Sequence, residues 1–196
     1  MSFAAYPLTP DRWDGLVDVF GGGDGKGACG KCWCMWWRVP RQGLGATLGS
    51  DVKARFQARV DAGPPPGLLG YDNGVPVGWV QVGPRSDVPE WSAARRLTAP
   101  LTREEADDPA VWGVSCFVIR VGHRRKGYAS ALLEASVSYA RRGGARLLDA
   151  CPVEAKPKAS AGSLFHGPAA IFVRAGFEEV ARRKANRPLM RMVLKA

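Results

Sequence analysis

Between residues 128 and 142 the apolar side chains Ala129, Leu132, Leu133, Val137 and Ala140 repeat at helical spacing, which predicts an amphipathic helix with one buried stripe. Ahead of it, "VWGVSCFVIRV" is a near-continuous apolar run rich in β-branched residues and predicts a strand buried on both faces. "GLLGYDNGVPVGWVQVG" predicts a hairpin, because Asn73-Gly74 is the pair best suited to a two-residue turn in which both residues take positive φ. "TPDRWDGLVDVFGGG" predicts a short helix capped by Thr9, with Pro10 at its first position. "SDVKARFQARVDAG" predicts another, from Ser50 or Asp51 to Gly63. Further on, "ARLLDAC" reads as a strand and "GPAAIFVRAG" as a compact helix, with Pro168 in its first turn and Gly176 past its end. "FEEVARRK" and "LMRMVLK" read as closing strands, while the stretch from Pro84 to Ala110 is mixed, with one helical turn near Trp91. This order predicts an α/β domain around a mixed central sheet flanked by helices.

Composition sharpens the picture in three places. With 196 residues and 46% apolar composition the chain is long enough for a substantial core in one domain. Within it, residues 1–66 form a helical, Cys- and Trp-rich part, and 67–196 carry the hairpin, the central strands and the C-terminal strands. No run of about 18 apolar residues is present, and the N-terminus lacks the pattern of an export signal, so no membrane partner is expected. Five cysteines, an odd number, then read as reduced thiols in a cytoplasmic protein. The net charge of +10 favours anionic partners, but it is spread over several clusters rather than one block.

One of those clusters lies where chemistry is expected. In "FVIRVGHRRKGYASALL" a buried strand runs into a basic, glycine-bearing turn that opens a helix. Free amides and the helix dipole at such a point make a phosphate site, and Gly127 permits close approach of the backbone. The run Arg124-Arg125-Lys126-Gly127-Tyr128-Ala129 matches Q/R-x-x-G-x-G/A, and "IFVRAGFEEVARR" is similar to a late Y-x-x-x-G-F motif. Together with the strand ahead, the "ALL" that follows and the NG hairpin, these features resemble the GNAT N-acetyltransferases, well over residues 67–195 and loosely before them. The resemblance implies a single GNAT-like domain whose central strands splay apart at an acetyl-CoA site.

The resemblance further implies acetyl-CoA as donor and an amine as acceptor, in a monomer or homodimer. The backbone of Phe117, Val118 and Ile119 would pair with the pantetheine arm, with Val118 or Ile119 supplying an N–H to the thioester oxygen. The turn from Arg124 through Arg125, Lys126, Gly127, Tyr128 and Ala129 to Ser130 would hold the pyrophosphate. Asp149 falls where some members carry a catalytic carboxylate, with Glu154 next, and His166 suits a base or an acid. The chain departs from the family at two positions: Phe172 replaces the tyrosine that protonates the leaving thiolate, and Phe165 replaces an asparagine. His166, Ser163, Cys151 or solvent are the replacement acids left open.

"ACGKCWCMWWR" falls on the acceptor side of this scheme. Cys29, Cys32 and Cys34 give three thiols in an unusual spacing where a structural zinc needs four ligands, so no metal is expected. Trp33, Trp36 and Trp37 are expected to wall the acceptor pocket, the alternative being that they seal the helical layer onto the sheet. Two other functions stay open: a non-catalytic acyl-CoA sensor, consistent with Phe172, and a basic nucleic-acid module. The second lacks a recognition helix or a complete zinc finger, so nucleic acid is not an expected partner.

Overall fold

The computed structural model describes residues 2–21, 32–39, 50–154 and 165–194. Seven strands form one mixed sheet in the order β1-β2-β3-β4-β5-β7-β6. These are β1 Phe3–Pro7, β2 Gly67–Asp72, β3 Val75–Pro84, β4 Val111–Ile119, β5 Leu147–Ala150, β6 Glu178–Arg182 and β7 Pro188–Val193. The helices are α1 Trp13–Phe20, α2 Ser50–Ala62, α3 Tyr128–Arg142 and α4 Ala169–Arg174, with single helical turns at Arg85–Asp87 and Pro89–Ser92. Among the described residues no helix is long and apolar enough to cross a membrane.

The hairpin forms as its turn residues require: Asn73 and Gly74 both take positive φ, 48° and 81°. Helix α3 spans the predicted residues and buries Leu132, Leu133, Val137 and Ala140 against β2, β3 and β4. The other sheet face is covered by α1 and α2, whose Leu16, Val19, Phe20, Phe56 and Val60 meet Trp79 and Val118. Thr9 does not cap α1; a short 3-10 turn over Pro10–Arg12 comes first, and Arg12 Nη1 donates to Thr9 Oγ1 at 2.5 Å. Pro168 sits one position earlier than expected, at the N-cap of α4. Strand β1 was not foreseen; it pairs antiparallel with β2 at the sheet edge.

Two local features place the site. β4 and β5 run parallel, joined by α3, but their pairing stops at Val114 and Ala150 while β4 continues to Ile119. β4 also bulges: Gln81 pairs with Cys116 and Val82 with Val114, which leaves Ser115 as the extra residue. The strands therefore diverge beyond the bulge and open a wedge. The connection from Arg85 to Ala110 packs against Asp149 and Cys151 at the end of β5 and against Leu189 and Arg191 of β7, and is held from outside by arginines. Arg183 alone donates to the carbonyls of Leu97, Ala99 and Pro100.

Candidate active site

The wedge leads into a cavity of about 700 Å³ lined by residues from 117–119, from 122–130 and from 165–171. The end of β4 lines one part of it and the turn into α3 another. Gly127 is the N-cap of α3, at φ 84°, and the preceding turn also holds Gly122 at 82° and Arg125 at 63°. Inside the helix the amides of Ser130 and Ala131 already bond to Gly127 O, so the amides left open by helix geometry are the earlier ones. Tyr128 anchors this start, donating its hydroxyl to Asp72 Oδ2 at 2.6 Å and stacking on Phe3. Of the ten residues expected to hold the donor, Phe117, Val118, Ile119, Arg124, Arg125, Gly127, Tyr128, Ala129 and Ser130 line this cavity; Lys126 is exposed in the same turn.

The backbone of β4 is not equally open along its length. Phe117 N–H donates to Phe165 O at 2.6 Å, and Arg120 N–H donates to Val77 O of β3. Backbone direction alternates along a strand, so Val118 turns its N–H to β3 and Ile119 turns its own toward the cavity. This corrects two expectations: Phe117 N–H is already taken by Phe165, and of the two proposed oxyanion donors only Ile119 faces the right way. Arg124 Nε reaches back to Ile119 O at 3.4 Å and ties the turn to the strand.

The segment Phe165–Pro168 fills the root of the wedge. Val153 N–H donates to Gly167 O and Ala169 N–H to Val153 O, so the segment bridges the continuation of β5 to β4. His166 Nδ1 lies 3.2 Å from Ser115 O at the bulge. A carbonyl only accepts, so Nδ1 carries the proton and Nε2 keeps its lone pair. Burial, with a smaller contribution from the Arg187 charge, pushes the His166 pKa down to about 4, so the ring is neutral at pH 7. Trp37 packs on this ring at 5.9 Å. Phe172 is fully buried, edge-on to Phe117 and Phe177, and offers no acid.

Asp149 does not hold the place of a general base. Its side chain is fully buried; Arg85 Nη1 sits 2.8 Å from Oδ2, and Arg191 reaches Oδ1 at 2.7 Å and Oδ2 at 3.0 Å. Arg191 also grips both oxygens of Glu105 at 2.8 Å, and Arg85 stacks on Trp91 with 4.3 Å to the ring centre. With both oxygens on guanidinium groups, this carboxylate is a strut rather than a proton acceptor. Glu154 is held by Arg182 through both oxygens, which keeps its pKa below the ordinary value. Cys151 is buried beside Val88, Trp91 and Leu189, and burial pushes its thiol pKa up. Ser163 lies outside the described residues.

The aromatic segment divides in two. Trp33 is buried, stacks on Trp13 at 5.8 Å and meets Phe20 at 5.4 Å, so it seals α1 and α2 onto the sheet. Cys34 joins that layer and accepts a hydrogen bond from Trp79 Nε1 at 2.9 Å. Trp37 packs instead on His166, and the part-exposed Trp36 meets Trp37 edge to face at 6.4 Å. The segment is fixed by Arg38, whose Nη1 binds Asp87 Oδ2 at 2.6 Å, and by Glu90 N–H on Trp37 O. Cys29 lies outside the described residues, and among those described no group of three His, Cys, Asp or Glu side chains could hold a metal ion. Arg85, Arg191, Arg187 and the bulge at Ser115 are the site features that no motif announced.

Known proteins share this fold. The N-acetyltransferase of Staphylococcus aureus Mu50 superposes with a TM-score of 0.55 at 14% identity, over 100% of both chains. For yncA of Salmonella typhimurium, solved with acetyl-CoA, the TM-score is 0.53 at 17% identity, over 100% of this chain and 95% of that one. For the ribosomal-protein-alanine N-acetyltransferase of Brucella melitensis the values are 0.54 and 18%, over 97% and 99%. At these identities the likeness shows a shared fold. No curated protein sequence matches. The model of the Acetyltransferase (GNAT) family matches residues 33–162, more than half of the chain, and the chain therefore belongs to that family of acetyltransferases.

Proposed function

We propose that this protein transfers the acetyl group of acetyl-CoA to an amine by direct attack on the thioester. The observation that carries the reading is the cavity itself, which joins the open end of β4 to a glycine-capped, basic helix start. The pyrophosphate would meet the amides before Ser130 together with Arg124 and Arg125, and the pantetheine amides would pair with β4 at Ile119. In the reaction the amine nitrogen bonds to the acetyl carbon, Ile119 N–H stabilises the charge developing on the oxygen, and the C–S bond breaks to release CoA thiolate. The proton lost by the amine passes to His166 Nε2 or to solvent, and the thiolate regains one. Trp36 and Trp37 border the acceptor, while Trp33 belongs to the core.

A second reading is a non-catalytic acyl-CoA sensor. It is favoured by Phe172 in place of a phenol and by Phe165 O on the Phe117 N–H, which leaves less of the strand free for the donor. One experiment separates the two: calorimetry with acetyl-CoA, followed by free-thiol release with a panel of amines. Binding with amine-dependent thiol release supports transfer, binding without release under any amine supports the sensor, and no binding overturns both.

A further inference from the structure

We propose that Arg187 is the anion-binding residue of the acceptor site, and that the acceptor is therefore a small amine that also carries a carboxylate. The inference rests on the acetyl-transfer reading for what the site does, but its evidence lies outside the donor cavity.

Arg187 stands just before β7, half-buried, at the end of β5. Its backbone is fixed by a turn, Arg187 N–H on Lys184 O, while Asn186 O next to it accepts from Glu154 N–H. Its side chain is aimed by two carbonyls: Nε donates to Pro152 O at 3.0 Å and Nη2 to Cys151 O at 2.8 Å, with Cys151 Sγ at 3.7 Å. These contacts orient the guanidinium but bring no negative charge. Among the described residues no carboxylate pairs with Arg187, and Nη1 has no partner. Glu154, whose N–H meets Asn186 O, has both oxygens on Arg182, and so does Glu179, eight positions before Arg187.

A positioned, partly desolvated guanidinium without a counter-charge is costly unless a ligand supplies one. By contrast Arg38, Arg59, Arg85, Arg96 and Arg191 each bind a carboxylate. The location is also specific. Cys151, which Arg187 holds, shares its cluster with Trp37, and Trp37 packs on His166. The Arg187 charge is felt at the His166 ring, whose protonation it opposes. Arg187 thus holds Cys151, whose cluster Trp37 joins, and Trp37 carries the contact on to His166 at the β4 bulge beside the wedge. A carboxylate on Nη1 would offset that opposition and make His166 a better proton acceptor when substrate is bound, linking recognition to chemistry.

The test uses the full chain with the standard L-amino acids and their C-terminal amides, read by calorimetry with CoA present and by thiol release with acetyl-CoA. Aspartyl and glutamyl amides, which keep only a side-chain carboxylate, tell an α-carboxylate site from a side-chain one. The expected result is at least one acid bound about tenfold or more tightly than its amide, a ratio that falls to about one in Arg187→Gln and is partly kept in Arg187→Lys. Circular dichroism and thermal melting identify a variant that fails to fold, in which case the wild-type acid-to-amide ratio decides alone. Equal binding of acids and amides, or no binding of any acid, with acetyl-CoA still bound, would overturn the carboxylate site. Loss of acetyl-CoA binding in the wild type would instead overturn the acetyl-transfer reading.

Discussion

Arg85 and Asp149, 64 positions apart in the chain, meet at 2.8 Å with both side chains fully removed from solvent. Asp149→Asn would leave two guanidinium groups facing a neutral amide in the interior. The expected cost is about 3–5 kcal/mol, read as a lower urea midpoint. Turnover per folded molecule would keep its pH profile. A variant of normal stability with a displaced basic limb would return Asp149 to a catalytic role.

Gly127 adopts φ 84° at the helix start, where an added side chain is strained even though space is open around it. Gly127→Ala should cost about 1 kcal/mol. Gly127→Glu adds a carboxylate at the proposed phosphate site and should weaken CoA by about tenfold or more beyond the alanine variant. Equal CoA affinity for the two variants by calorimetry would move the phosphate site elsewhere.

His166 has its pKa lowered from 6.5 to about 4, chiefly by burial. The unfolded chain therefore binds a proton that the folded chain refuses between those values. The associated stability is fully present above pH 6.5 and is lost as pH falls toward 4. The shift corresponds in full to about 3 kcal/mol; His166 is only part-buried, which reduces this to about 2 kcal/mol. His166→Asn should flatten the pH dependence of chemical denaturation in that window, and an unaltered slope would show the ring to be freely protonated.

Trp33 and Trp37 should separate cleanly. Trp33→Ala removes a buried ring stacked on Trp13 and should cost about 3–5 kcal/mol. Trp37→Ala should leave CoA binding intact and raise the acceptor's KM several-fold. A fall in stability of the same size in both, with KM unchanged, would make the whole segment a seal.

Local signals carried far. The Asn73-Gly74 turn, the α3 stripe and the glycine at its start all took shape as their chemistry demands, since each depends on neighbours a few residues away. What escaped the sequence depends on distant partners. Strand β1 has five residues, too few for a period, and exists through its pairing with β2 more than sixty positions on. Asp149 looked like a base because its strand and position suited one; only the arrival of Arg85 and Arg191 turns it into a strut. The bulge at Ser115 leaves no mark in an apolar run, and the three tryptophans look equivalent until α1 claims one of them.

The grip of Arg183 on Leu97, Ala99 and Pro100 has a consequence for survival in the presence of proteases. A protease takes its substrate as an extended strand whose carbonyls it must engage itself. Three carbonyls held by one guanidinium deny that geometry to a long connection that carries exposed arginines of its own at Arg95 and Arg103. Arg183→Ala should leave the sheet in place and yet let trypsin nick the chain there first, so that one side chain from β6's end decides whether the 85–110 connection is a buried seam or an open cut site.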